Sequence, residues 1–302
     1  MSLRLGFVPI LVVSSPKMSK EIFKTRDLEF CGRPSLLGQQ TLSYNGLDLA
    51  FSPYNPYWKE LRKICVSHLF NSIRVLKFRH VREDEVLRLI KKISNSVVAC
   101  KHSINLSDMI LFLTSCIICR VAFGTRYEEE RSEKRRFHKL LNETQALLGS
   151  FFFSDYFPLM GWVDRLAGKI SRLEKNFKKF DTFYQELIDE HLNSNRRKVD
   201  HEDIIDALLQ VQKESGSKID ITPDHVKAVL MNVFVGSTET VAATVIWTMT
   251  SLMKNPRTMK KAQEEIRYSI REKGFVNEDD VQRLPYLKAV VKETLILHHP
   301  FH

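Results

Sequence analysis

Residues 229–247 read VLMNVFVGSTETVAATVIW, and this stretch decides the fold. It is apolar on both sides of a small polar patch, Gly236-Ser237-Thr238-Glu239-Thr240. Thr222-Pro223 ahead of it pairs an N-cap with a first-turn proline, and Asn255-Pro256 marks its end. The run predicts one helix to about Lys254, about 32 residues and about 48 Å long. A carboxylate inside an apolar helix is costly unless it is partnered or wet. Small residues let a ligand or another backbone come close, and a hydroxyl returning to the carbonyl four residues back bends a helix. Two readings follow. Either this is a cofactor or substrate face where Glu239 and Thr240 handle protons, or it is a helix-packing groove with one snorkelling Glu.

Outward from that helix the punctuation is mostly helical. Ser15-Pro16 opens a short helix to Lys24, and Asn55-Pro56 opens another carrying Tyr57, Trp58, Leu61, Ile64, Cys65 and Leu69. A long amphipathic helix is expected over 73–93, with Val75, Val86, Leu89 and Ile90 on its apolar side. Ser107 and Asp108 are placed as caps of a nearly all-apolar helix ending near Gly124. Further helices are expected from Glu128 to Leu148, Ile170 to Leu192, and Asp203 to Lys213, the last stopped by Gly216. Asn255-Pro256 restarts a helix that Gly274 ends, and Pro285 starts the last one. Residues 35–53 read as a long loop. The start, LRLGFVPILVVSSP, alternates and suggests two short strands rather than a signal peptide. With only 11 Gly and 10 Pro in 302 residues, a turn-rich sheet fold is disfavoured, and one mainly α domain over 1–302 is the expectation.

The net charge of +10 is uneven. Residues 1–100 hold 16 Lys/Arg against 8 Asp/Glu, whereas residues 201–302 hold 13 against 14. A basic first third suits an acidic protein or an anionic membrane, or is simply a solvated surface. No reading motif supports nucleic-acid binding. Five Cys do not form a disulfide framework. No segment holds the ~18 consecutive apolar residues of a membrane span. Cys116-x-x-Cys119 lies in an apolar helix without a second pair, and His298, His299 and His302 read as a tail.

Trp58 and Arg62 stand four apart, on one helical face. An indole N–H with a guanidinium suits a carboxylate or phosphate, and an intrahelical cation–π pair is the equal alternative. An aromatic cluster follows at Phe151, Phe152, Phe153, Tyr156, Phe157 and Trp162.

In this order the signals resemble the cytochrome P450 monooxygenase family, in its plant microsomal form. YNPYWKELRKIC looks like the family's C helix, with Trp58 and Arg62 at its W-x-x-x-R positions. ICRVAFG is similar to its E-helix stretch, and VGSTET resembles the oxygen-activating groove of the I helix. NPRTMKKAQEEIR and LPYLKAVVKETL look like the J and K helices. The resemblance implies a partial P450 fold with a long central I helix and a minor β element near the N-terminus. It implies haem, with Trp58, Arg62 and Gly236 on its cofactor-binding positions and Glu239 and Thr240 as the catalytic acid–Thr pair. It further implies a hydrophobic small-molecule substrate and electrons from a flavin-containing NADPH reductase. The family's place is the cytosolic face of the endoplasmic reticulum membrane, where Phe151, Phe152, Phe153 and Trp162 suit peripheral membrane contact as well as they suit pocket packing.

The departures are equally specific. The family's thiolate loop, F-x-x-G-x-R-x-C-x-G, does not occur, and none of Cys31, Cys65, Cys100, Cys116 or Cys119 has its context. The K-helix E-x-x-R reads Glu293-Thr294-Leu295-Ile296, and the groove's second Gly is Ser237. The expectation is a truncated domain lacking anchor and haem-Cys loop, not catalytically competent as this polypeptide, and cytosolic without the anchor. The alternative is a non-catalytic helical remnant that binds a protein partner or a membrane surface.

Overall fold

Short polar side chains followed by proline start several helices of this chain. The computed structural model describes residues 1–98, 103–125, 132–193, 202–214, 218–270 and 273–298. In it Ser15 Oγ accepts the Met18 N–H at 3.3 Å, and Asn55 Oδ1 accepts that of Trp58 at 2.8 Å. Pro16 and Pro56 then fill the first helical positions, where a missing N–H costs nothing. The architecture is mainly α with one antiparallel hairpin, Ser2–Leu5 against Val8–Leu11, as the alternation at the start suggests. Gly6 turns the hairpin at φ +60°, and a Cβ there would stand 2.3 Å from the Tyr156 carbonyl oxygen. The Phe7 N–H donates to that same oxygen at 2.9 Å, so a side chain at position 6 would unseat the hairpin.

The chain divides into two compact units, Met1–Asn71 with Tyr127–Val233, and Ser72–Arg126 with Phe234–His302. In the first, the helix Lys169–Leu192 lies against Ser132–Leu148, Leu37–Leu42 and Gly161–Leu166. Leu42, Leu147, Phe152 and Leu173, none more than 2% exposed, form a core cluster there. In the second, Leu106–Phe123 packs on Arg79–Val98 and on Glu239–Lys254, which also meets Pro285–Leu297. Phe123 stacks on Phe234 with ring centroids 4.6 Å apart. No position from Met109 to Gly124 is exposed, as the apolar run predicts.

The central helix is long, as expected, but it is interrupted: Pro223–Ser237 and Glu239–Lys254 meet at Thr238. By length and composition Leu106–Phe123 and Pro223–Lys254 would also pass as membrane spans, although neither is an unbroken apolar run. Both carry core residues here, among them Ala122, Phe123, Val229 and Phe234.

Several expectations are corrected. Residues 35–53 are not all loop, because Leu37–Leu42 is helical. Its first N–H finds Asp155 Oδ1 at 2.8 Å, an acceptor that no local pattern announces. The buried helix is capped by Asn105, whose Oδ1 accepts the Asp108 N–H at 3.3 Å, rather than by Ser107 or Asp108. The helix expected over 73–93 is two, Ser72–Lys77 and Arg79–Val98. Val75, Val86 and Ile90 are exposed while Val81 and Glu85 are buried. The face is turned by charge: Glu85 meets the Arg120 guanidinium at 2.8 Å on the neighbouring helix. Phe152 is 1% exposed, so core packing withholds it from any membrane, whereas Phe151 and Trp162 are exposed. Cys100, residues 128–131, Gly216, His299 and His302 lie outside the described residues.

Candidate functional site

The Asn55 cap sets the register of the helix Pro56–His68 and so places Trp58 and Arg62 one turn apart. The Arg62 guanidinium carbon lies 5.4 Å from the centre of the Trp58 ring. The indole N–H donates to the Leu49 carbonyl at 2.9 Å and is not turned to a ligand. Arg62 is exposed and, among the described residues, makes no ion pair. Stacking engages the face of a guanidinium and leaves its in-plane N–H groups free. The cation–π and anion readings are therefore compatible at Arg62, with Trp58 orienting it.

The carbonyl that holds Trp58 is itself held by a clamp that sequence reading missed. Asn232, on Pro223–Ser237, accepts the Leu49 N–H at 2.8 Å and the Ala50 N–H at 3.1 Å on its Oδ1. Its Nδ2 donates to Asp48 Oδ2 at 2.7 Å, and Asp48 Oδ1 accepts the Phe51 N–H at 3.0 Å. Burial pushes the Asp48 carboxyl above the usual range, against the pull of these hydrogen bonds. The Tyr57 hydroxyl adds a bond to the Leu47 carbonyl at 3.0 Å. The available signal was the lone amide in VLMNVFV, since a polar group in an apolar helix needs a partner.

In the second unit the polar patch lies at the helix interruption. The Thr238 hydroxyl donates to the Phe234 carbonyl at 2.9 Å and the Thr240 hydroxyl to the Gly236 carbonyl at 2.6 Å. These are the back-bonds the sequence suggested, and the backbone bends at Thr238 between them. A Cβ on Gly236 would meet nothing within 4 Å, so the helix is open on that side. Glu239 is exposed, yet partial burial raises its carboxyl above the usual range. Thr240 retains oxygen lone pairs after donating, so it can accept a hydrogen bond, and it can donate one to a ligand only by releasing the Gly236 carbonyl. Thr244 and Thr248 continue the pattern, donating to the carbonyls of Thr240 and Thr244 at 2.9 and 2.7 Å.

Glu293 is exposed and has no ion pair among the described residues; Ile296, where the E-x-x-R pattern has its Arg, is 75% exposed. The described cysteines, Cys31, Cys65, Cys116 and Cys119, are unsuited to hold a metal. Cys65 is fully buried, and burial pushes its thiol up to about 12. Cys116 and Cys119 are each 3% exposed inside Leu106–Phe123. The Cys31 thiol faces the Leu28 carbonyl at 3.5 Å. Among the described residues, the cluster with metal-ligand chemistry is His191, Asp203 and Asp206. It links two helices instead: His191 Nε2 meets Asp203 Oδ2 at 2.9 Å, and Asp203 Oδ1 caps Ile204–Lys213 through the Asp206 N–H at 2.9 Å. Tested against a haem, Arg62 in the first unit has the chemistry for a propionate; in the second unit, taken by itself, the helix has open space beside Gly236. No described cysteine fits the axial thiolate.

The family model described as Cytochrome P450 matches residues 1–302. The chain is 52% identical over 300 residues to 6,7,8-trihydroxycoumarin synthase of Pastinaca sativa. It is 50% identical over 299 residues to 5-OH-xanthotoxin synthase of Ammi majus, and each match covers 99% of this chain. It spans 58% of the length of these relatives. A zebrafish cytochrome P450 solved with progesterone superposes with a TM-score of 0.80 at 24% identity, over 98% of this chain and 66% of that one, and shows the fold.

Proposed function

This chain belongs to the cytochrome P450 family, and from that premise we propose that it carries the oxygen-activating side of a monooxygenase that oxidises a hydrophobic small molecule. The relatives named above suggest a flat aromatic substrate of the coumarin kind. The observation that carries the reading is the interruption of the helix at Thr238 together with the open space beside Gly236, in the same turn as Glu239 and Thr240. Haem, when bound with a thiolate ligand, supplies the activation of O₂. The chain's own residues do the rest. Arg62 would hold a propionate by charge-assisted hydrogen bonds, with Trp58 and the Asp48–Asn232 clamp fixing its direction. In the second unit, the open space beside Gly236 would let a ligand come close to the helix backbone. Glu239 holds a proton more readily than an ordinary glutamate, and the Thr240 hydroxyl would accept a hydrogen bond where it stands and donate one onward once it leaves the Gly236 carbonyl.

The same reading assigns electrons to a flavin-containing NADPH reductase and location to the cytosolic face of the endoplasmic reticulum, with Phe151 and Trp162 at the membrane. Because these 302 residues hold no Cys in the F-x-x-G-x-R-x-C-x-G context, we infer that this polypeptide by itself is not competent to hydroxylate. The purified chain, titrated with haem, reduced and exposed to carbon monoxide, should show no thiolate-type Soret band; such a band would overturn the inference. In the same titration Arg62→Ala should weaken haem uptake about tenfold, as expected for one hydrogen bond to a charged group. Unchanged uptake would remove Arg62 from the site. The second reading, a non-catalytic helical module that binds a partner or a membrane, draws on exposed side chains such as Val98, Leu159 and Ile296, and persistent vesicle binding without haem uptake would favour it.

A further inference from the structure

The helices Ser132–Leu148 and Lys169–Leu192, both in the first compact unit, bound a groove of about 740 Å³. Lys139 lines it from the first helix, and Arg172, Lys175 and Lys179 line it from the second. The latter three recur at spacings of three and four, so they share one helical face, where like charges repel. One carboxylate, Glu143, stands among them and is engaged by Arg172 in a two-pronged ion pair, with Nη2 to Oε2 at 2.9 Å. The hydrogen bond from Arg172, then the charges of Lys179 and Lys139, hold its carboxyl below the usual range, so those two lysines act on one spot. Four cations against one carboxylate leave the lining at +3, and among the described residues Lys139, Lys175 and Lys179 make no ion pair.

Two further features complement that charge. The helix Lys169–Leu192 begins at Gly168 with no side-chain cap and no carboxylate in its first turn. Gly168 and Ser171 line the groove, so the first-turn N–H groups, which a helix cannot pair internally, add a positive end to its cations. The other feature is a buried acceptor. Asn176, 3% exposed, also lines the groove. The Thr144 hydroxyl gives its proton to the Leu140 carbonyl at 3.0 Å, so it can only accept from Asn176, whose Nδ2 donates to it at 2.7 Å. That fixes the amide, and its Oδ1 has no hydrogen-bond partner among the described residues. A buried carbonyl oxygen calls for an O–H or N–H donor, so the groove suits a ligand that carries a hydroxyl beside its anionic groups.

From Gly168 to Lys179 the groove follows about 16 Å of helix, more than one phosphate fills. None of the described residues lining it is aromatic, so it has no platform for a nucleobase. We propose that the groove binds a soluble sugar bisphosphate. One phosphate lies at the helix start beside Ser171 and Lys175, the other between Lys139 and Lys179, and a sugar hydroxyl donates to Asn176 Oδ1. The site uses none of the residues assigned to haem or oxygen above, so it stands or falls independently of them.

The test is isothermal titration calorimetry of the purified 302-residue chain with fructose 1,6-bisphosphate at low salt. One molecule should bind per chain, more weakly as salt is raised. Inorganic phosphate and citrate should both bind more weakly. The variant Lys139→Gln/Lys175→Gln/Lys179→Gln should lose about tenfold in affinity, about twofold per lysine, with no lower thermal midpoint because it removes repelling charges. Asn176→Leu should lose about fivefold for fructose 1,6-bisphosphate and nothing for 1,6-hexanediol bisphosphate, which keeps both phosphates and has no sugar hydroxyl. No binding of fructose 1,6-bisphosphate, or an unaltered triple variant, overturns the site. Equal binding of inorganic phosphate, or tighter binding of citrate, overturns the bisphosphate. An equal loss for both bisphosphates in Asn176→Leu, or no loss for either, overturns the hydroxyl contact.

Discussion

Asn232 does more than its single amide suggests, because three polar groups depend on it. Replacing it with Ala would strand the Leu49 and Ala50 N–H groups and deprive Asp48 of its donor. Asp48 is buried while the two N–H groups reach solvent in part, so with about 1–3 kcal/mol for one stranded buried group Asn232→Ala should lose about 1–3 kcal/mol in urea unfolding. Trp58 emission should change with it, since the Leu49 carbonyl that takes the indole N–H would be released. Glu239 makes a pH prediction of opposite character. Its carboxyl is raised by burial, so the folded state holds that proton more tightly than the unfolded chain. The associated stability is fully present below about pH 4.3 and is lost as pH rises through the higher folded value. Glu239→Gln should therefore match the wild-type urea midpoint at pH 4 and exceed it slightly at pH 7; a lower midpoint at pH 7 would refute the burial account. Trp58 and Arg62 were legible from their spacing, because a helix makes four-apart residues neighbours. The direction of the indole N–H was not, because it is fixed by a loop and by Asn232 more than 170 residues away.

The helices show where local reading works and where it ends. Ser15 and Asn55 cap within three residues of themselves, and their helices start where the sequence places them. Leu37–Leu42 and Pro285–Leu297 take their caps from elsewhere. Glu265 supplies both carboxylate oxygens to the latter, accepting the Tyr286 and Leu287 N–H groups at 2.8 and 2.9 Å. Pro285 announced that helix on its own, whereas nothing in residues 35–42 announced the other. Glu265→Ala should cost about 1–2 kcal/mol and loosen amide protection in the first turn after Pro285. The bend in the central helix was legible because Thr and Gly at this spacing carry their own mechanism. Thr238→Val removes the back-bond while keeping the shape, so the amides of residues 237–240 should exchange more slowly as the two segments join. Faster exchange would show that packing, rather than the hydroxyl, makes the bend. The exposed stripe on Arg79–Val98 was misread because hydrophobic periodicity gave no weight to Glu85, which Arg120 draws inward.

At the scale of the molecule, composition gave fold class and motif order gave family, and the family match over 1–302 agrees with both. The division into two units was not legible, because it falls inside an unbroken hydrophobic pattern between Val233 and Phe234. The uneven charge takes on a more local meaning. The groove of Lys139, Arg172, Lys175 and Lys179 lies outside the strongly basic first hundred residues, so a count by thirds of the chain passes over it. The remote cap on Leu37 also has a consequence in time. Leu37 and Asp155 are 118 residues apart, so their bond waits until Ser132–Leu148 and the segment after it have docked. The bond is expected to form in the last steps of folding, after the rate-limiting barrier. Asp155→Ala should accordingly speed unfolding while leaving the folding rate nearly unchanged, which the two limbs of a denaturant chevron report separately. The short helix at residues 37–42 is thus a clasp that closes last and opens first.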